Sequence, residues 1–462
     1  MRLKEEKSLL VGKLIMAVSF LAIVLTYFTM REKKDSAYRF LHLLPYGHAV
    51  IMLVFVTFTK NMLKYPAQWC IYLLYFIRNC MTPIFMYLAD YDSVIKINSE
   101  AAVNKTIALM LYETFTVYLV MALWEKRKQI SSHIKVRISP PLFNKLMMLL
   151  GAMIVVCLLL APVLRSSYES IFHLSKLISV AGAVNKETLG GARVFYTIGQ
   201  VCISVFRLLI TVVILWAVRK RTENPYMAII AAGGVAFVQC MFLGAQLLYF
   251  FYIMGYIFFL TIRLFPRTKK ILISGTVVLF PLMLAFLMMT KLQLNSANVW
   301  GSMGKSLNAY LPGVANIAGV IENISERSLR TVFADFYTMI PFRNSIFGLQ
   351  VQNLSDIFNE ANRCQGQILP LLGESYYYFG AFFSPMLSVL FAVGAMKANE
   401  KMNDAKNCIT YAVNVMMMLY LSTMILCKNL ILFGSLFFST LLPLWVFSLV
   451  TEKSYSFKNI EK

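Results

Sequence analysis

MAIIAAGGVAFVQCMFLGAQLLYFFYIMGYIFFLTIRLF, Met227 to Phe265, carries no charged side chain before Arg263. A helix of about 20 apolar residues crosses a hydrocarbon core of about 30 Å, so this run is too long for one crossing. It is also too continuously apolar for the alternating strands of a membrane barrel. Basic clusters bracket it, RKR at Arg219 to Arg221 and RTKK at Arg267 to Lys270. Positive flanks on one side of the membrane require an even number of crossings, which predicts a pair of helices broken near Gly244.

The same reading extends along the chain. It has 462 residues, 59% of them hydrophobic, and a mean hydropathy of +0.66. These values lie outside those of soluble domains and predict an all-α, polytopic membrane protein. Spans are expected at about 9–30, 41–59, 67–89, 105–124, 146–164, 194–218, 227–243, 246–264, 271–290, 376–396, 408–426 and 429–449. That makes twelve, with both termini in the cytoplasm. The first follows the charged segment MRLKEEK without a small-residue cleavage site, and is read as a retained anchor. EKRKQISSHIKVR (Glu125 to Arg137) and the tail after Leu449 are basic and fall inside, whereas Asp90 to Asn104 and Arg165 to Arg193 fall outside. REKK (Arg31 to Lys34) alone runs against this orientation.

The net charge of +22 follows from these basic inner loops and does not imply nucleic acid. The eight Cys residues are scattered, mostly within spans, and form no CxxC pair, so neither a disulfide framework nor a zinc site is expected. There is no phosphate-binding glycine loop and no nucleophile elbow, and none of the four His residues falls between 291 and 375. No cofactor or metal is expected.

The segment 291–375 is the long polar interruption, and alternation of the spans puts it outside. Connections beyond about 15 residues usually have a functional reason. Within it, SLRTVFADFYTMI (Ser328 to Ile340) places Leu329, Val332, Phe333, Phe336 and Ile340 on one helical face, with Arg327, Arg330 and Asp335 off the stripe. A short amphipathic helix on the outer leaflet is expected, ending at Pro341. A second short helix is expected over Asn353 to Arg363, capped by Asn353 or Ser355.

Arg78, Glu113 and Arg207 sit deep in predicted spans, where a charge persists only if paired or lining a polar cavity. Two readings stand. Glu113 pairs with one of the arginines as a structural bridge, or Arg78 and Arg207 line a cavity and grip an anionic group such as phosphate. In the long segment, Arg343 follows the turn at Ile340-Pro341-Phe342, and Glu374 lies in Gly373-Glu374-Ser375 before Tyr376, Tyr377 and Tyr378. Partial desolvation there would raise a carboxyl pKa toward the range of a general base. Equally, Glu374 would cap or orient a helix starting at Tyr376.

Two strings, Ile340-Pro341-Phe342-Arg343 and Gly373-Glu374-Ser375-Tyr376 with Phe379-Gly380, occur in that order at the end of a late external loop in a many-span chain. In this the sequence resembles the Wzy-type polymerases of O-antigen and capsular polysaccharide. The resemblance implies metal-independent glycosyl transfer between undecaprenyl-diphosphate-linked repeat units, donor and acceptor alike, at the outer face of the cytoplasmic membrane. It further implies a flippase and a chain-length regulator as partners. Glu374 or Asp335 would take the acceptor's proton, and Arg78, Arg207 and Arg343, with Arg330 or Arg363 as substitutes, would neutralise the leaving diphosphate. The loop lacks the histidine expected of the related ligases. The chief rival is a flippase of lipid-linked repeat units, which needs no external segment of this length. Another polyprenyl-phosphate glycosyltransferase would carry acids in the first external loop, where only Glu32 and Asp35 occur.

Overall fold

The computed structural model describes residues 2–30, 37–58, 65–91, 93–125, 140–166, 192–241, 247–275, 308, 311–324, 328–340, 351–405, 407–427 and 429–450. Among these residues every regular element is helical. Six helices are long and apolar enough to cross a membrane, and Gly12–Phe28, Leu43–Phe55, Pro225–Gln239 and Phe251–Leu264 are shorter apolar helices. The run from Met227 is carried by two helices, Pro225–Met241 and Leu247–Leu264. Gly244 itself lies outside the described residues.

The chain divides into two compact units. The first comprises Met1–Ile130, Leu294–Asn399 and Tyr420–Ser435, and the second Ser131–Gln293, Glu400–Leu419 and Leu436–Lys462. The first contains α1 (Arg2–Met30), α2 (Leu43–Phe58), α3 (Pro66–Phe76), α4 (Thr82–Leu88) and α5 (Glu100–Glu125). A π turn at Ile77–Met81 joins α3 to α4. Pro83 has no N–H for the preceding turn. The helix widens there instead, with the backbone N–H and the hydroxyl of Thr82 both donating to Ile77 O.

In the second unit, Ala192–Arg221 and Pro225–Met241 are clamped by Gln239, whose Nε2 donates to Arg207 O (2.8 Å) and to Thr211 Oγ1 (2.9 Å). Tyr256 OH, on Leu247–Leu264, donates to Leu208 O at 2.8 Å. Such side chain to backbone bonds satisfy polar groups that lipid cannot.

The described part of 291–375 is folded into the first unit. Its helices are α6 (Val314–Asn323), α7 (Leu329–Met339), α8 (Leu354–Ala361) and α9 (Leu371–Phe379). Val314 to Val320 are all buried. Val314, Ala315, Ile317, Ala318 and Val320 share one hydrophobic core with Leu41, Leu44, Ile95, Val103, Phe358 and Leu372. Glu322 accepts from the backbone N–H groups of Asn98 and Ser99, both at 3.3 Å, just before α5 begins. An acid at a helix N-terminus satisfies orphan donors and complements the dipole.

The two short helices form where expected. Ser328 caps α7, its hydroxyl accepting from Arg330 N at 3.2 Å, and Ile340 leaves the helix before Pro341. Asn353, not Ser355, caps α8, accepting from Asp356 N at 3.0 Å. On α7 the apolar stripe faces outward: Phe333 is 72% exposed and Phe336 56%. The face turned into the protein carries Thr331, Ala334, Asp335 and Thr338. An outward apolar face suits lipid contact at the membrane interface.

The span expected at 376–396 is interrupted. Helix α9 starts at Leu371 and stops at Gly380, whose φ of 80° and ψ of −175° belong to a region nearly closed to other residues. Helix α10 (Met386–Asn403) then begins after the turn. Helix α11 (Cys408–Cys427) and α12 (Leu430–Leu436) follow, and α12 runs on through a π turn at Phe437–Leu441 ahead of Pro443.

Candidate functional site

Glu374 and Asp335, 39 positions apart in the chain, are brought into one buried cluster by α9, α7, α8 and α12. Three consecutive tyrosines of α9 make this possible. Tyr376 OH accepts from Lys105 Nζ at 2.8 Å, holding α9 to α5. Tyr377 OH accepts from Ser328 N at 3.1 Å and donates to Thr331 Oγ1 at 3.3 Å, fixing the start of α7. Tyr378 OH donates to Asp335 Oδ2. Glycine at 434 lets α12 approach α7, since a Cβ there would collide with the Met339 side chain.

Each carboxyl accepts a bond from the first backbone N–H of a helix. Asp335 Oδ1 takes Leu354 N, opening α8, at 2.8 Å. Glu374 Oε2 takes Leu430 N, opening α12, at 2.9 Å. Glu374 thus does orient a helix, but a distant one rather than its own. Both acids are buried, at 1% and 0% exposure, and Glu374 Oε1 has no partner among the described residues.

Burial pushes the Glu374 carboxyl well above the usual carboxylate range, against the Leu430 N–H, and the nearby Asp335 charge adds to the rise. Burial also raises Asp335, but the bonds from Tyr378 and Leu354 oppose it. Of the two carboxyls Glu374 is pushed further up, whereas Asp335 keeps two donors, Tyr378 and Leu354, that favour its ionised form.

The arginines are distributed differently. Arg78 is fully buried and its Nη2 bridges to Glu113 Oε2. Ser388 Oγ donates to the other oxygen of Glu113, and Arg78 Nε donates to Asn79 Oδ1 at 3.3 Å. Asn79 Nδ2 in turn donates to Thr114 Oγ1 at 2.9 Å. This is a buried ion pair within the first unit, with Arg78 Nη1 left without a partner among the described residues. Arg207 belongs to the second unit, where its Nε donates to Gln239 Oε1 at 3.0 Å. Arg330 and Arg363 are exposed on α7 and just after α8. Arg343 lies outside the described residues.

Ser388 and Asn79 were not singled out from the sequence, and Tyr378 was named only as one of three tyrosines beside Glu374, not as a partner of Asp335. Tyr378 carried a usable signal, since it lies four residues beyond Glu374 and so on the same helix face. Ser388 and Asn79 carried none, being ordinary polar residues among apolar ones. Compared with known proteins, the chain matches no family model, no curated protein and no solved structure.

Proposed function

We propose that the protein is a membrane glycosyltransferase that joins lipid-diphosphate-linked oligosaccharide repeat units, as a Wzy-type polymerase does. The twelve-span topology, with 291–375 outside and both termini in the cytoplasm of a bacterial cell, belongs to the same proposal. The observation that carries it is the buried carboxyl pair Asp335 and Glu374, built from the segment whose strings resemble that family. The transfer forms a bond from an acceptor hydroxyl oxygen to the donor's anomeric carbon as the bond to the diphosphate breaks. The diphosphate leaves with the electron pair, and the hydroxyl proton passes to Asp335, the member of the pair whose two donors favour its ionised form. A low-dielectric setting strengthens every charge that acts on the transition state. Arg343, Arg330 and Arg363, all on the same segment, are the cations proposed for the leaving diphosphate.

The test is the surface polysaccharide of strains carrying Glu374→Gln, Asp335→Asn or Arg343→Ala, resolved on a gel. A ladder reduced to single repeat units is the expected result. Accumulation of lipid-linked units at the inner leaflet would make the protein a flippase, and an unchanged ladder would reject the assigned residues.

A further inference from the structure

Leu354 and Leu430, the residues whose N–H groups hold the two carboxyls, are flanked by residues that line one open cleft. Asn353 and Ser355 come from the start of α8, Asn429 and Ile431 from the start of α12. The cleft has a volume of about 270 Å³. That is below the roughly 300–1,000 Å³ of pockets for drug-sized ligands, and suits a single small ring.

Its chemistry is mixed. Ile368, Ile431 and Leu432 supply apolar surface, and Leu432 is 38% exposed. Asp356 and Gln367 supply polar groups, and Gln367 Oε1 is buried without a partner among the described residues. Asn359 is committed to the framework, donating to Ser355 O (2.8 Å) and Gln367 O (3.2 Å) and accepting from Gln367 N (3.0 Å). It therefore fixes the backbone of Gln367. No basic side chain lines the cleft among the described residues, so a phosphate or diphosphate would bind there without neutralisation. A sugar ring matches better. Its C–H faces lie on aliphatic side chains, and its hydroxyls donate to and accept from carboxamides and carboxylates.

We propose that this cleft is a saccharide subsite, holding one neutral sugar ring of the glycan beside the Asp335–Glu374 pair. Its place as the acceptor subsite rests on the glycosyl-transfer reading above, whereas saccharide binding itself does not. The experiment uses the full chain in lipid nanodiscs. The probe is repeat-unit oligosaccharide released by mild acid from the source strain's surface polysaccharide, labelled at its reducing end. Ile431→Trp, which fills the cleft, is expected to weaken binding at least tenfold. Gln367→Leu, a near-isosteric loss of one hydrogen-bonding group, is expected to weaken it about three- to tenfold. Inorganic pyrophosphate is expected not to compete.

Wild-type binding no tighter than that of both variants, or displacement of the probe by pyrophosphate, would overturn the subsite. The two readings fail separately. A ladder lost in Glu374→Gln, with Ile431→Trp still binding as wild type, removes the subsite and leaves the polymerase. An intact ladder in Glu374→Gln, with binding lost in Ile431→Trp, leaves a saccharide site and rejects the carboxyl pair as the reacting groups.

Discussion

Replacing Arg78 with Met decides between a structural and an anion-binding role for the buried arginine. The side chain is fully buried beside Glu113, Asn79 and the ring of Tyr75, 5.1 Å from its guanidinium carbon. Met fills much of the same volume, so the cavity contribution is small. What is lost is the bridge, which leaves Glu113 the Ser388 hydroxyl and the neighbouring Tyr75. Breaking a buried pair by removing one member costs about 3–5 kcal/mol, because the other charge stays buried without compensation. Glu113→Leu should cost a similar amount for the mirror reason, with Asn79 the remaining partner of Arg78. The double variant Arg78→Met/Glu113→Leu removes both charges and should cost much less than the sum, giving a coupling energy of at least about 2 kcal/mol. Unfolding by steric trapping in bicelles, run on all four proteins, measures that cycle. Additive costs, or an Arg78→Met protein of wild-type stability that makes no polymer, would refute the bridge and restore Arg78 as a ligand for an anionic group.

Four further outcomes follow from the carboxyl cluster and its helices. Glu374→Gln keeps an acceptor for Leu430 N–H and should change stability little, whereas Glu374→Ala orphans that donor and should cost about 1–3 kcal/mol in the same unfolding assay. The folded pKa of Glu374 is raised, so the native state holds its proton more tightly than the unfolded chain. Wild type should therefore lose stability relative to Glu374→Gln as pH rises above the ordinary value of 4.5 toward the folded pKa, and the variant should show the smaller trend left by Asp335. Tyr378→Phe removes a donor that lowers the Asp335 pKa. The basic shift of the acidic limb in the pH–rate profile of polymer formation is the expected signature, with a stability cost of about 1.5–3 kcal/mol. Gly380→Ala places a Cβ at a φ of 80° and should destabilise the protein by about 1–3 kcal/mol, read as a lowered thermal midpoint.

Helix type and rough position were legible wherever the pattern was local. The length and continuity of apolar runs, the helix stop ahead of Pro341 and the cap at Asn353 each act within a few residues; the described runs are helical, the helix ends at Met339 and Asn353 caps the next one. The break at Gly380 was less legible, because Tyr376 to Met396 is apolar enough to read through a glycine. The stripe on Ser328 to Ile340 was seen, but a period cannot say which face turns inward. Here the fold turns Phe333 and Phe336 outward and Asp335 inward, where Tyr378 and Leu354 satisfy it.

The sequence by itself determined an all-helical membrane chain, because the bilayer demands long apolar helices whatever the tertiary contacts. It also marked the two acids and the arginines as the side chains costly enough to require a reason. Only the tertiary structure decided their partners. Pairing Glu374 with Leu430 N–H, Asp335 with Tyr378 and Leu354, and Arg78 with Glu113 and Ser388 joins residues tens to hundreds of positions apart. Burial and hydrogen bonding then set how far each carboxyl pKa is moved, and neither is a property of the local sequence.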